Sequence, residues 1–250
     1  MEWWQELFDD TYLDLWAHVL TPERTTNEAA GIQEILKLPA DAPVLDLACG
    51  QGRLTVPLAQ GGWQMSGLDY STALLARAQA AAAAAGVTVS WHESDMRTLP
   101  EAWTGRFAAV LNIFSAFGYF ESNRDNQRVL DEVYRVLQPG GQFLIESNHR
   151  DNIMRKFQGR DWFEMGNLIV FTDRDFDPVT GITSEQMHWF DEQGQRHRRH
   201  FRVHLYTATY LTRMLLDAGL QPVAYYGGLD GREFGRVSRR LAIVAQKPAN

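Results

Sequence analysis

From residue 44 to residue 147 short apolar runs alternate with stretches of helical pattern, and few folds accommodate that rhythm. VLDLA (44–48), QMSGLD (64–69), VTVSW (87–91), RFAAVLNI (106–113) and QFLIES (142–147) read as strands. Between them, RLTVPLAQ (53–60), STALLARAQAAAAAAG (71–86) and DNQRVLDEVYRVLQPGG (125–141) read as helices. Pro57 is tolerated because it lies near the start of its helix. The second helix is alanine-rich and stopped by Gly86. The third places Val129, Leu130, Val133, Val136 and Leu137 on one face and ends at Pro139, Gly140 and Gly141. Strands joined by helical crossovers run parallel, so the expected class is α/β, a doubly wound Rossmann-like sheet.

After residue 148 the period changes to two. NLIVFTDRDFD (167–177), ITSEQMHWFDE (182–192) and QRHRRHFRVHL (195–205), joined by DPVTG and EQG, predict an antiparallel meander inserted over 149–206 after the fifth strand. The helix TATYLTRMLLDAG (207–219) then precedes LQPVAYYGG (220–228) and a strand, VSRRLAIVAQK (237–247), which closes the sheet as a hairpin. An N-terminal helical region ends near LPADAP (38–43). One domain over 1–250 is expected, with residues 1–36 as a helical cap.

Composition excludes several functions. Lys and Arg number 24 against 31 Asp and Glu, a net charge of -7, so no global positive field draws the chain to nucleic acid. The single cysteine, Cys49, excludes an internal disulfide, and no Cys/His spacing suits a metal, which together point to the cytoplasm. MEWWQELFDD lacks the basic and apolar regions of a secretion signal. FAAVLNIFSAFGYF (107–120) is shorter than the roughly 20 residues of a membrane helix and carries Asn112, Ser115 and Gly118.

The turn in VLDLACGQG lets a ligand approach the backbone closely. Thr55 stands where a dinucleotide fingerprint needs its third glycine, and no Walker lysine follows Gly52. The loop offers an acid instead, Asp46, a poor neighbour for phosphate and a suitable one for a cation. Asp69 ends the second strand, where a carboxylate accepts from ribose hydroxyls. Asp95 follows the third, placed to accept from an adenine amino group while Met96 packs on the ring. Each acid has a plainer role as a helix cap, but three in register with the glycine loop suggest a cationic nucleoside, and S-adenosylmethionine (SAM) fits.

Across about residue 36 to the end, the chain resembles the class I SAM-dependent methyltransferases. VLDLACGQGR is similar to the family's glycine-rich motif, GLDYS to its ribose motif, ESDMRTLP to its adenine motif and FAAVLNIFSAFGYF to its strand-four motif, while RVLQPGGQFLIE matches the approach to strand five. The resemblance implies seven strands in the order 3-2-1-4-5-7-6 with the seventh antiparallel. It also implies Ala48, Gly50 and Gly52 beside the methionine moiety, Asp69, Tyr70 and Ser71 at the ribose, Asp95 and Met96 at the adenine, and Asn112 and Phe114 nearby. FDDTYLDLWAHVLTPERTTNE resembles the cap of small-molecule methyltransferases, in which Tyr12 closes over the cofactor.

Methyl transfer needs chiefly positioning. Asn112-Ile113-Phe114-Ser115 stands where some nitrogen methyltransferases carry Asn/Asp-Pro-Pro-Tyr/Phe, which argues against the branch that methylates nucleic-acid amino groups. The acceptor is expected at the carboxyl ends of strands four and five, among Asn112, Phe114, Ser115, Tyr119, Asn148 and His149, with Tyr12 and Trp16 above. Asn112, Tyr119 and His149 are the catalytic candidates, His149 as base. The expected activity is transfer to an O or N atom of a small molecule, releasing S-adenosylhomocysteine, with a protein or RNA acceptor, or SAM binding without transfer, as alternatives. The inserted strands also suit a homodimer contact. Cys49 reads as packing rather than a nucleophile, RHRRH (196–200) as a solvated strand, and Trp162 and Trp189 as packing.

Overall fold

The computed structural model describes residues 3–8, 10–191 and 193–249. After a short N-terminal turn come helices α1 (Asp10–Trp16) and α2 (Pro22–Leu36), followed by β1 (Pro43–Leu47), α3 (Thr55–Gln60), β2 (Gln64–Asp69), α4 (Thr72–Ala85) and β3 (Ser90–Glu93). The second half of the sheet brings β4 (Phe107–Asn112), α5 (Asn123–Val136) and β5 (Leu137–Asn148). Then follow α6 (Arg150–Met154), the strands β6 (Arg160–Met165), β7 (Leu168–Phe176), β8 (Ile182–Phe190) and β9 (Arg196–His204), and finally α7 (Ala208–Asp217), β10 (Gln221–Tyr226) and β11 (Arg240–Gln246).

The main sheet has the order β3-β2-β1-β4-β5-β11-β10, parallel from β3 to β5, with β11 antiparallel to both neighbours. This is the seven-stranded order that the sequence implied. Alternate residues of its central strands feed two cores. Leu45, Leu47, Val110, Phe143 and Ile145 pack with α5 and α7, whereas Val44, Leu111 and Leu144 pack with α2 and α3. Burial on both faces explains why these strands read as continuous apolar runs.

The meander is a separate four-stranded sheet, β6-β7-β8-β9. Its inner face receives α1, with Leu15 among Met165, Val170, Met187 and Trp189. Cap and meander thereby meet over the carboxyl edge of the main sheet. On β9, residues 196, 198 and 200 are exposed and 197 and 199 half-buried, as the alternation of RHRRH requires. Trp189 packs in the meander core, but Trp162 is 59% exposed on the outer face, contrary to the packing expected of it.

Several boundaries move for identifiable reasons. β3 begins at Ser90 rather than Val87, because Gly86 in a left-handed conformation ends α4 and the next residues are spent leaving it. Helix α5 stops at Val136, and Leu137 already pairs with Phe107 as the first residue of β5. Pro139 disfavours helix at the residue before it, and the Lys247 ammonium donates to the carbonyls of Tyr134 and Leu137, 2.8 Å each, at the helix end. The sequence reading omitted β6. Met165 pairs with Leu168 around Gly166-Asn167, a two-residue hairpin signal that identifies it.

Candidate active site

The turns after β1, β2 and β4 open on one cavity of about 140 Å³. Ala48, Gly50 and Gly52 all have positive φ (63°, 56° and 75°). At Gly52 a Cβ would lie 2.9 Å from the Trp91 ring and 3.1 Å from Ala78, so both conformation and space demand glycine. The N–H of Gly50 donates to Asp69 Oδ2 at 2.7 Å and that of Ser71 to Oδ1 at 2.9 Å, tying the first turn to the second. With the Tyr70 N–H as a third backbone donor, a carboxylate with about four lone-pair sites still retains acceptor capacity for a hydroxyl group.

Asp46 lies beneath this turn, 4% exposed, and accepts from Thr55 Oγ1 at 2.6 Å. Burial raises its pKa to about 6, against the lowering effects of Thr55 and Arg53. Asp69 is also raised by burial, opposed by its backbone donors. Two partly desolvated carboxylates in one cavity gain from a cationic ligand, which lowers both pKa values. Burial, with Asp46 and Asp69 nearby, pushes the Cys49 thiol well up, so it stays protonated and serves as packing.

Of the predicted cofactor residues, Tyr12, Asp46, Ala48, Gly50, Asp69, Tyr70, Asp95, Met96 and Phe114 line the cavity, as does Tyr119. Ser71 and Gly52 stand behind it. Ser71 caps α4 by accepting from Leu74 N–H at 3.3 Å and holds the N-terminal segment by donating to the Phe8 carbonyl at 2.9 Å. Asp95 is engaged by Arg97, through Nε to Oδ2 at 3.0 Å and a terminal nitrogen at 2.6 Å, and the guanidinium sits 4.1 Å from the Phe120 ring centroid. Trp4, Phe8 and Leu20 of the N-terminal segment, together with Arg53, also line the cavity. Sequence reasoning missed these four, although Arg53 adjoins the glycine motif.

A second, larger cavity of about 690 Å³ lies between the main sheet and the inner face of the meander. Tyr12, Phe114 and Tyr119 line both cavities and so form their common wall. Burial pushes the Tyr119 phenol to about 12 and raises that of Tyr12 further, with Tyr119 and Asp69 adding to the effect, so both rings remain neutral near pH 7. Trp16, Ser115 and Asn148 also line the larger cavity.

The two remaining catalytic candidates lie elsewhere. Asn112 is wholly buried and donates through Nδ2 to the Leu47 carbonyl at 3.0 Å, holding the ends of β4 and β1 together. His149 is 3% exposed, packs against the Phe234 ring at 4.8 Å, and places Nδ1 2.8 Å from the Ser238 carbonyl. A carbonyl only accepts, so Nδ1 carries the proton. Neither residue is part of either cavity wall. His204 does border the larger cavity, but its Nε2 faces the Glu121 carbonyl at 3.2 Å and its Nδ1 is closed off from solvent.

Phe114 and Ser115 have left-handed φ values of 63° and 59°, a strain that needs support. Glu146, 3% exposed, supplies it by accepting from Phe114 N–H at 2.8 Å, while its own carbonyl accepts from Ser115 N–H at 3.0 Å. Arg240 of β11 neutralises Glu146 and also donates to Asn148 Oδ1. Glu146 closes the segment RVLQPGGQFLIE, but nothing in the sequence signals its role or that of Arg240, since both depend on β11 lying beside β5.

Fold and site geometry are similar to those of the class I, SAM-dependent methyltransferases. Residues 44–141 match the methyltransferase-domain family, so the chain carries a methyltransferase domain and is an enzyme of that class. A putative methyltransferase, YqeM of Bacillus subtilis (strain 168), is 26% identical over 84% of this chain and 86% of its own length. The CcbJ methyltransferase of Streptomyces caelestis superposes with a TM-score of 0.86 over 99% of both chains at 21% identity. CalS10 of Micromonospora echinaspora, a SAM-bound amino pentose methyltransferase, gives 0.72 over 97% of this chain and 98% of its own at 21% identity. No helix among the described residues is long and apolar enough to cross a membrane.

Proposed function

We propose that the chain transfers a methyl group from SAM to an O or N atom of a small molecule, in the cytoplasm. The observation that carries this reading is the pair of cavities meeting at Tyr12, Phe114 and Tyr119. The smaller one fits SAM by the chemistry of its lining: acids Asp46, Asp69 and Asp95 against a single base, Arg53, among the described lining residues. Asp46 faces the positive end, Arg53 complements the carboxylate, Asp69 accepts from the ribose, and Met96 packs beside the adenine. When bound, SAM supplies a methyl group activated on a positively charged sulfur. The chain's part is to hold the acceptor against the common wall, where the neutral phenols of Tyr12 and Tyr119 offer hydrogen bonds, and to exclude water beneath cap and meander. Covered by that roof, the larger cavity suits a small acceptor, and the likeness in fold to CalS10, an amino pentose methyltransferase, supports that reading.

We assign no base from His149, because its ring lies outside the walls of both cavities. The test is calorimetry and product analysis together. Asp69→Ala should weaken SAM binding about ten- to a hundredfold, the loss expected for hydrogen bonds to a charged group. Incubation of the enzyme with SAM and a metabolite extract should give a small product heavier by one methyl group. Unchanged binding in the variant sinks the ribose assignment, and methylated protein or RNA in place of a small product sinks the acceptor class.

For assembly, the reading is a homodimer through the outer face of the meander. Trp162, Ile169, Phe171 and Phe190 are about half exposed there. Glu164 and Asp175 lie toward one edge and Arg196 and Arg198 on the opposite edge strand, so a twofold axis sets acids against bases. Phe171→Glu should shift the sedimentation coefficient from dimer to monomer. A wild-type chain that sediments as a monomer at every concentration refutes the contact.

A further inference from the structure

The larger cavity has a charge pattern that composition does not produce. The chain as a whole carries fewer bases than acids, 24 against 31. Yet this cavity is lined by Arg24, Lys156, Arg174, Arg239 and Arg240, with Glu185 as the one acid among the described lining residues. The smaller cavity has the opposite balance, so the two sides of the common wall differ in sign.

Three of the five cations already have carboxylate partners. Arg24 pairs with Glu28 at 2.7 Å, a carboxylate it shares with Arg53 at 2.7 Å, Arg174 with Glu185 at 2.8 Å, and Arg240 with Glu146. Their guanidinium groups are structural: Arg240 supports the Phe114 turn, and Arg174 ties β7 to β8 across the meander. Lys156 and Arg239 differ. Neither has an ion-pair or side-chain hydrogen-bond partner among the described residues, and both are exposed, which puts them at the mouth of the cavity. Both lie near the same end of the sheet, Lys156 just after α6 and Arg239 just before β11, and the Arg239 carbonyl accepts from His149 N–H at the start of α6 at 3.2 Å. Two unneutralised donors at the mouth of a cleft form a field that concentrates and orients anions.

We propose that the methyl acceptor carries an anionic group, a carboxylate or a phosphate, and that Lys156 and Arg239 hold it at the mouth while the nucleophilic atom reaches inward to Tyr12, Phe114 and Tyr119. This rests on the assignment of the larger cavity to the acceptor. The arrangement serves transfer in two ways. An anion is drawn toward a cavity whose far wall is occupied by a cationic donor, and a long acceptor anchored at one end presents one reactive end to the wall. Because both cations are solvent-exposed, each contributes modestly and in a salt-dependent way.

The test uses the full chain and binding as readout. Affinities for SAM and S-adenosylhomocysteine are measured first by calorimetry, which judges the cofactor reading alone. The chain saturated with S-adenosylhomocysteine, or the bare chain if that ligand fails to bind, is then titrated with two matched pairs: benzoate against benzyl alcohol, and glucose 6-phosphate against glucose. The expected result is that at least one anion binds about ten times more tightly than its neutral partner, and the pair showing the difference separates carboxylate from phosphate. Raising the salt concentration should shrink that difference. Lys156→Ala/Arg239→Ala should abolish it while leaving S-adenosylhomocysteine affinity unchanged. Equal affinities within both pairs, or no binding of either anion at millimolar concentration, overturn the proposal. An anion preference that survives in the double variant overturns the assignment to these two residues.

Discussion

Asp46 shows how a single side chain joins stability to ligand binding. Its pKa in the folded chain, about 6, is above the ordinary carboxylate value of 3.8 because it is buried. Between those values the folded chain holds a proton that the unfolded chain has released. The contribution of this group to stability therefore falls as pH rises from about 4 to about 6, and the full cost is present above that. Asp46→Asn should remove this part of the pH dependence, raising stability at pH 7 by up to about 3 kcal/mol, as urea denaturation at two pH values would show. Ligand affinity has the opposite sign. SAM affinity should weaken as pH drops below about 6 and Asp46 becomes neutral, and calorimetry on Asp46→Asn should find weak, pH-flat binding. That Asp46 stands beneath the glycine turn was legible from its place in the chain before it. Its pairing with Thr55 and its raised pKa were not, because both depend on what is packed around it.

At the scale of elements, the loop after β4 is held by a strand from the far end of the chain. Glu146 satisfies the Phe114 amide and is compensated by Arg240. Glu146→Gln leaves a guanidinium without its counter-charge in a largely buried place, at a cost of about 3 kcal/mol. Urea unfolding measures that loss, and SAM-dependent turnover should fall further than SAM affinity because Phe114 belongs to the wall between the cavities. The meander permits a complementary test. Replacing residues 160–204 by a short glycine-rich link should spare S-adenosylhomocysteine binding and abolish transfer, since the meander bounds only the larger cavity. Retained turnover in that variant refutes its role. The meander strands β7 to β9 were visible from period-two alternation, while β6 and α6 were not. In α6 five residues give too little of a helical period to stand out.

For the molecule as a whole, the sequence determined the parallel sheet, the closing hairpin and the turns that line the smaller cavity. These features are local in origin: a strand, a glycine turn and a helix are neighbours in the chain, so Asp69, Asp95 and Met96 stand out by position, while the resemblance to the family's glycine-rich motif singles out Ala48 and Gly50. The partition of roles among residues at the edge was decided by packing. His149 and Asn112 stand at strand ends as a base or binding group would, yet His149 Nδ1 is held by the Ser238 carbonyl and Asn112 Nδ2 by that of Leu47, and neither residue lines a cavity. Sequence position places a residue at the carboxyl edge without saying which way its side chain turns. Only the tertiary structure brought Tyr12, Phe114 and Tyr119 into one wall, set Lys156 beside the segment leading into β11, and gave the two cavities opposite charge. Those contacts join segments many residues apart, and what brings them together is the burial of α1 on the meander and of β11 on β5.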